Sequence, residues 1–280
     1  MQLLAVFNFE RLTCGALAAA VFLFSAAYAH AGWVQGEFMS AGQPVTEYHC
    51  VPAGSGAPSG SGPHPAIVML HGASPRKEAG NDEFEKMCGR LAEQGYYTEF
   101  IEYYSQTPAV GVGDPSGMRK YFPIWMAEIH SGIEALGKNP AVDPHRIAML
   151  GFSLGAYLSL STGAVDPGPI AAIVEYYGGL QPALSGGAKT MPPTLILHGD
   201  RDVLVNVAEA HSLDEILTAA NRPHEMHIYE GANHAFNFPE LPFWYDAEDA
   251  QDAWTRTLKF LASNLKNSDS KSTASGAASN

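Results

Sequence analysis

The chain has 280 residues, of which 46% are hydrophobic and 16% charged, so it can bury a large core and is not generally disordered. This length allows one large α/β domain or two small ones. The formal net charge of −13, with no run of Lys and Arg, argues against nucleic acid and anionic lipid surfaces as partners.

The first recognisable element is an apolar segment from Leu12 to Ala27, which follows Arg11 and precedes small-x-small sites ending at Ala29 and Ala31. It predicts a signal peptide over residues 1–31 and an exported protein, periplasmic or secreted. The alternative is a membrane anchor, but the run is shorter than the roughly 20 apolar residues that a spanning helix needs. We expect no stable membrane association after cleavage.

Export would leave two cysteines, Cys50 and Cys88, in an oxidising compartment, where a disulfide can form. Cys88, however, falls on the apolar face of a predicted helix. An unpaired cysteine in such a position is an ordinary small hydrophobe. We therefore expect free thiols, with the disulfide as the alternative.

The next part of the chain alternates between β-rich runs and helical patterns. A strand at Val45 to Val51 and a loop at Pro52 to Pro65, rich in Gly, Pro and Ser, come first. Further strands are predicted at Ala66 to Leu70, Tyr97 to Tyr103, Arg146 to Leu150, Ile170 to Tyr176, Thr194 to Leu197 and Glu225 to Tyr229. Several are continuous apolar runs, which are typical of strands buried on both faces in a mostly parallel sheet.

Helical patterns are legible after Asn81 or Asp82 as far as Gly95, after a capping box formed by Asn206 and Glu209, and from about Asp246 to Leu265. The polar, low-complexity segment 266–280 predicts a disordered tail. The alternation of strands and helices predicts one doubly wound α/β domain over residues 32–265, with helices on both faces of the sheet. Its ligand site should lie beyond the carboxyl ends of the strands.

Residues 149–157 read MLGFSLGAY, with Ser153 between Gly151 and Gly155 where a predicted strand meets a predicted helix. A sharp strand-to-helix turn strains its central residue and leaves no room for a Cβ two residues to either side. It also lifts the hydroxyl to the N-terminus of the next helix, where backbone N–H groups favour developing negative charge. The pattern predicts that Ser153 is a nucleophile.

A serine nucleophile needs a base that takes its proton and an acid that orients the base. His234 follows the last predicted strand in a loop of small residues and is the predicted base. Asp200 and Asp202 both follow the preceding strand and are the candidate acids. His198 and His71 each end a strand beside glycine, and we expect them to hydrogen-bond neighbouring backbone.

The segment Leu70 to Ala73 leaves the first strand of the predicted parallel sheet at its carboxyl end. The backbone N–H groups of Ala73 and Leu154 are therefore the candidate oxyanion hole for a tetrahedral intermediate.

Metal and cofactor chemistry find little support in the sequence. His224 and His227 flank a glutamate, but the HExxH pattern needs one more residue between its histidines and a helix beneath them. The chain also lacks a phosphate-binding loop. We expect no metal and no cofactor.

Four segments together resemble the α/β-hydrolase superfamily and, within it, the dienelactone hydrolase family: AIVMLHGAS, VDPHRIAMLGFSLGAYLSL, PPTLILHGDRDVLV and EMHIYEGANHAFNF. In that family the acid lies in an HGxxD segment and the base in a GAxHxF segment. The resemblance therefore implies a triad of Ser153, His234 and Asp202 and favours Asp202 over Asp200.

The chain departs from dienelactone hydrolases proper at three points. Their nucleophile is a cysteine, a glutamate lies where this chain has His71 and Gly72, and an arginine soon follows the catalytic histidine. Here residues 235–238 read AFNF. The resemblance and the negative charge imply a small-molecule substrate, a neutral ester with a small or medium acyl group, cleaved through an acyl-enzyme.

Tyr103, Tyr104 and Tyr176 lie at strand ends near the predicted site and are candidate pocket residues, with packing against helices as the alternative. The segments 105–117 and 178–192 are candidate pocket walls or a lid. A peptidase or thioesterase on the same fold, and a non-catalytic binding protein, are the alternative functions.

Overall fold

The computed structural model describes residues 33–52, 63–73, 81–111 and 113–265. The predicted signal peptide, most of the predicted Gly- and Pro-rich loop and the predicted tail lie outside the described residues.

Eight strands form one sheet. Their bounds are β1 Val34–Ser40, β2 Gln43–Cys50, β3 His64–Leu70, β4 Tyr97–Ile101, β5 Val142–Phe152, β6 Ile170–Tyr176, β7 Thr194–Gly199 and β8 His224–Tyr229. The spatial order is β1-β2-β4-β3-β5-β6-β7-β8. The strands from β4 to β8 run parallel, while β2 pairs antiparallel with both β1 and β4. The mostly parallel sheet is confirmed.

Helices cover both faces of this sheet. Their bounds are α1 Asn81–Glu93, α2 Pro115–Leu136, α3 Leu154–Val165, α4 Ala208–Ala219 and α5 Ala247–Leu265, with a short 3-10 helix at Pro182–Thr190. One apolar core joins the sheet to α2, α3 and α4, and a second joins its other face to α1 and α5. No helix in the described parts of the chain has the length and apolar character needed to cross a bilayer.

Side chains cap the predicted starts of α4 and α5 to different extents. Asp246 Oδ1 accepts the backbone N–H groups of Glu248 and Asp249 at 3.0 and 3.1 Å and so caps α5. Asn206 Oδ1 accepts the N–H of Ala208 at 2.9 Å ahead of α4. The N-cap position of α4 is Val207, not Asn206, so the predicted capping box does not form in its full reciprocal geometry.

The structure corrects the expectation of free thiols, because Cys50 and Cys88 form a disulfide. Cys50 ends β2, and Cys88 lies on the buried face of α1, which packs over this part of the sheet. Their Cα atoms are 5.7 Å apart, within the range that a disulfide spans. The apolar position of Cys88 was read correctly, but the sequence does not reveal that β2 brings a second cysteine to it.

Candidate active site

The predicted nucleophile, acid and base lie at one edge of the sheet. Ser153 directly follows β5, Asp202 follows β7, and His234 follows β8. These strands are parallel, so their carboxyl ends meet at the same edge, and residues 153, 202 and 234 come together although they are far apart in the chain.

Ser153 lies in the sharp turn that the sequence predicts. Its φ is +53° and its ψ is −116°, a strained conformation for a residue with a side chain. A Cβ atom at Gly151 would overlap the carbonyl oxygen of Gly155, and a Cβ at Gly155 would overlap that of Leu70. Both glycines are therefore required by the close approach of backbone to backbone.

The three side chains form a continuous chain of hydrogen bonds. His234 Nδ1 lies 2.7 Å from Asp202 Oδ2, and His234 Nε2 lies 3.0 Å from Ser153 Oγ. A carboxylate only accepts, so Nδ1 carries the hydrogen of the neutral imidazole. The lone pair of Nε2 is then left to accept the proton of the serine hydroxyl.

The two candidate acids have different environments. Asp202 is completely buried beside His234, whereas Asp200 Oδ1 accepts the backbone N–H of Gly231 at 2.7 Å and joins the loops after β7 and β8. Asn233 joins the same loops, since its Oδ1 accepts the N–H groups of Val203 at 3.1 Å and His234 at 2.7 Å. The structure places Asp202, not Asp200, against the imidazole.

The surroundings of Asp202 favour its ionised form. Burial by itself would raise its pKa, but the hydrogen bonds from His198 and His234 and from the backbone N–H of Val205 outweigh burial. The pKa of Asp202 consequently lies well below its usual value. A charged carboxylate at this position can stabilise an imidazolium at His234.

The candidate oxyanion donors lie beside the serine. Leu154 is the first residue of α3, so its backbone N–H has no acceptor within the helix. The loop carrying Ala73 approaches closely, since a Cβ at Gly72 would lie 3.4 Å from the Cβ of Ser153. The arrangement suits the binding of an oxyanion next to Ser153 Oγ.

Tyr103 and Tyr104, the candidate pocket residues, hydrogen-bond to this loop. Tyr103 is fully buried, and its hydroxyl donates to the carbonyl oxygen of His71 at 2.8 Å. The hydroxyl of Tyr104 donates to the carbonyl oxygen of Ala73 at 3.2 Å. The ring of Tyr103 also stacks on the imidazole of His71, with ring centres 4.0 Å apart.

The surroundings of His234 are aromatic. The ring of Tyr177 lies 4.6 Å from the imidazole, and the Trp244 ring meets it edge-on at 6.2 Å. The hydroxyl of Tyr177 donates to Asn237 Oδ1 at 2.7 Å. Tyr176 lies further back, where it lines a cavity of about 90 Å³ between α1 and α5.

The two segments predicted as walls or a lid are partly regular structure. The first, 105–117, already contains the start of α2. The second contains the 3-10 helix, in which Gly187 lies against the backbone of Ala164 at the far end of α3. That point is about 16 Å along the helix from Ser153. This part of the second segment therefore does not cover the site.

The other histidines have the structural contacts expected of them. His71 Nδ1 lies 2.6 Å from the carbonyl oxygen of Gly72, and His198 Nε2 lies 3.0 Å from that of Val205. His224 and His227 lie on strand β8. Within the described residues, no group of three or more His, Cys, Asp or Glu side chains is arranged to hold a metal ion.

Sequence reasoning missed three residues of the site. Trp244 contacts His234 from a loop with no periodic pattern, and Asn233 joins the two catalytic loops through its side chain. His198 lies 3.4 Å from Asp202 Oδ2 as well as beside Val205. No signal in the sequence identifies Trp244, whereas His198 and Asn233 each lie within four residues of a predicted site residue.

Comparison with known proteins identifies relatives over most of the chain. A protein of Escherichia coli (strain K12) named "Putative carboxymethylenebutenolidase" is 27% identical over 243 residues, which cover 79% of this chain and 83% of that protein. "Protein usf" of Aquifex pyrophilus is 23% identical, over 80% of this chain and 96% of that protein.

Solved structures show the same fold at low sequence identity. A dienelactone hydrolase-like promiscuous phosphotriesterase, P91, from metagenomic libraries superposes with a TM-score of 0.71 at 21% identity, covering 83% of this chain and 98% of that one. A thermophilic esterase of Thermogutta terrifontis superposes with a TM-score of 0.65 at 19% identity, covering 84% and 95%.

A family model described as the dienelactone hydrolase family matches residues 51–265, which include all eight residues of the predicted triad, oxyanion hole and pocket. The match begins directly after β2 and extends to the end of α5, so it covers the strands β3 to β8 and the helices α1 to α5. With its α/β-hydrolase fold, the chain belongs to the dienelactone hydrolase family and is a hydrolase of the carboxylic ester hydrolase type.

Proposed function

We propose that the protein is a serine esterase that cleaves uncharged carboxylic esters with small or medium acyl groups. The observation that carries this proposal is the hydrogen-bonded series from Asp202 through His234 to Ser153, with distances of 2.7 and 3.0 Å. A hydroxyl paired with a buried imidazole and carboxylate is what acyl transfer requires.

In the proposed reaction, Ser153 Oγ attacks the ester carbonyl carbon while His234 Nε2 takes its proton. The backbone N–H groups of Ala73 and Leu154 stabilise the oxyanion. The tetrahedral intermediate then collapses, and His234 donates its proton to the departing alkoxide, which leaves an acyl-enzyme. Water attacks the acyl carbon with His234 again as the base, and the acid is released as Ser153 regains its proton.

The residues around the triad favour the proposal that the substrate is uncharged. Tyr177 and Trp244 flank the imidazole, and Ala235 and Phe236 follow it in the chain. The segment soon after the histidine, where dienelactone hydrolases grip a carboxylate with arginine, thus carries no cationic side chain. Together with the net charge of −13, this favours neutral over anionic esters.

The proposal predicts that Ser153→Ala lowers kcat by at least about 10⁴-fold and leaves KM almost unchanged, because the hydroxyl forms the covalent bond but contributes little to binding. A fluorophosphonate probe should label the wild type and not the variant. Circular dichroism of both proteins provides the folding control. A variant that keeps most of the wild-type activity would reject Ser153 as the nucleophile.

Substrate class is decided by a panel of p-nitrophenyl esters of increasing chain length, run beside peptide and thioester substrates. We expect the highest kcat/KM for short or medium acyl esters. Higher kcat/KM for peptides or thioesters would identify a peptidase or thioesterase. Failure to react with both probe and substrates would identify a non-catalytic binding protein on this fold.

We also propose that the protein is exported. The apolar segment 12–27 supports this, and so does the Cys50–Cys88 disulfide, since disulfides persist in oxidising compartments. Mass spectrometry of the mature protein should find an N-terminus near residue 30 or 32. An N-terminus still at Met1 would contradict cleavage.

A further inference from the structure

The carboxylate of Asp202 is held from several directions. Its Oδ1 accepts the backbone N–H groups of Leu204 at 2.8 Å and Val205 at 2.7 Å. Its Oδ2 lies 2.7 Å from His234 Nδ1 and 3.4 Å from His198 Nε2. Of these four partners, three belong to loops, whereas His198 lies in β7, inside the sheet.

The ring hydrogen of His198 can be assigned from its neighbours. Nε2 lies 3.0 Å from the carbonyl oxygen of Val205, which can only accept. Nε2 therefore carries a hydrogen, which it donates to that oxygen, and the same nitrogen lies 3.4 Å from Asp202 Oδ2. Since both side chains are fully buried, water cannot replace this donor.

A second buried carboxylate lies on the same side of the sheet. Glu175 in β6 pairs with Ile196, two residues before His198, so both side chains lie on one face. Glu175 Oε2 accepts the N–H of Gly178 at 2.8 Å. Burial lowers the pKa of His198, but the hydrogen bond to Asp202 and the charge of Glu175 raise it above its usual value. These neighbours favour the imidazolium form of His198, in which Nε2 also carries a hydrogen.

We propose that His198 is a positioning residue, whose Nε2–H holds Asp202 Oδ2 in the orientation that accepts His234 Nδ1–H and ties the loop after β7 to the sheet. The inference rests on the proposed hydrolysis at Ser153. Without this donor the carboxylate and its loop can rotate, and His234 is no longer aligned on Ser153. A misplacement of about 1 Å can cost about 100-fold in rate.

The test compares His198→Leu, which removes the donor, with His198→Gln, whose amide nitrogen can reach the place of Nε2. We expect His198→Leu to lower kcat for p-nitrophenyl acetate about 10- to 100-fold with KM within about twofold. His198→Gln should recover most of the lost activity. The proton NMR signal of His234 Nδ1–H, far downfield in the wild type, should weaken or disappear in His198→Leu and return in His198→Gln.

His224→Leu is the matched control. His224 also bonds an aspartate and a backbone carbonyl, at 3.1 Å from Asp214 and 2.8 Å from the carbonyl oxygen of Arg222, but it is not in contact with Asp202. Its kcat should match that of the wild type. Equal kcat and an unchanged NMR signal in His198→Leu would overturn the positioning role.

The proposed function and the proposed role of His198 fail in different ways. A wild type without esterase activity would reject the proposed function, and the NMR comparison would still decide whether His198 aligns His234.

If His198→Leu does not fold, the test rests on His198→Gln. Its kcat and NMR signal should stay near those of the wild type, and loss of both in a folded variant would contradict the inference.

Discussion

Asp202 and His234 act as a unit at the scale of single residues, because each determines the hydrogen-bonding state of the other. The ionised carboxylate can only accept, so it selects the imidazole tautomer with hydrogen on Nδ1. Only that tautomer leaves Nε2 free to take a proton from Ser153, 3.0 Å away. In the proposed mechanism, the reactivity of the serine thus depends on a carboxylate that does not contact it.

Asp202→Asn tests this dependence. The asparagine amide can donate to Nδ1 and so favour the wrong tautomer, and we expect kcat to fall by about 10⁴-fold. Steady-state hydrolysis of p-nitrophenyl acetate measures the change. Asp200→Asn is the matched control from the same loop, since Asn Oδ1 can still accept the Gly231 N–H. Equal losses in the two variants would refute the assignment of the acid.

At the scale of elements, seven of the eight strands were predicted from the sequence, and α2 was not. Five of the seven predicted strands are continuous apolar runs or lead directly into the predicted site motifs. Helix α2, in contrast, buries Glu128 and Gly132 in its inward stripe and carries Pro123 inside it. These residues obscure the helical period of Trp125, Ile129, Ile133 and Leu136. A Cβ at Gly132 would meet Ile101 Cδ1 at 2.5 Å, so the glycine permits close packing of α2 on the sheet.

Strand β1, Val34–Ser40, was also missed. It is an edge strand with only Phe38 and Ser40 buried. A pattern with so few buried positions gives almost no hydrophobic signal. Pairing with β2, and not the intrinsic preference of its residues, makes it a strand.

The buried carboxyl group of Glu128 in α2 should make the free energy of unfolding depend on pH. Burial raises the pKa of Glu128 to about 8 from an ordinary value of 4.5, and the backbone N–H of Gln106 offsets this only in part. Between these two values the native state binds more protons than the unfolded state, so its stability falls as the pH rises. The loss is complete above about pH 8.

Glu128→Gln removes this dependence. In urea unfolding we expect the variant to exceed the wild type in stability by about 1–3 kcal/mol at pH 8.5 and by much less at pH 5.5. Glu134→Gln, an exposed substitution on the same helix, should change stability little at either pH. Parallel pH curves for Glu128→Gln and the wild type would show that the carboxyl is not protonated in the native state.

At the scale of the whole molecule, one covalent link joins the antiparallel edge of the sheet to a helix. The Cys50–Cys88 disulfide connects β2 to α1 across 38 residues, including all of β3. Cross-linking restricts the unfolded chain and so stabilises the native one. The link lies at the opposite side of the sheet from β7 and β8, which carry the acid and the base.

Replacing both cysteines by alanine should therefore lower the free energy of unfolding by about 2–4 kcal/mol and change kcat little. Urea unfolding with and without a reducing agent measures the effect. The reductant should destabilise the wild type and have no effect on the double variant. Insensitivity of the wild type to full reduction, verified by thiol titration, would contradict a stabilising role.

The sequence by itself determined the class of fold, the serine and the histidine that meet at its edge, and two candidate acids, of which the family resemblance favoured Asp202. Buried parallel strands have a continuous apolar signature, and Gly151, Gly155 and the loops before Asp202 and His234 carry local constraints that are readable without coordinates. Tertiary structure decided which aspartate faces the imidazole, that Tyr103 and Tyr104 support a loop, that two cysteines pair, and that His198 contacts the acid. These facts depend on distances between distant segments, and such distances arise only when the sheet assembles.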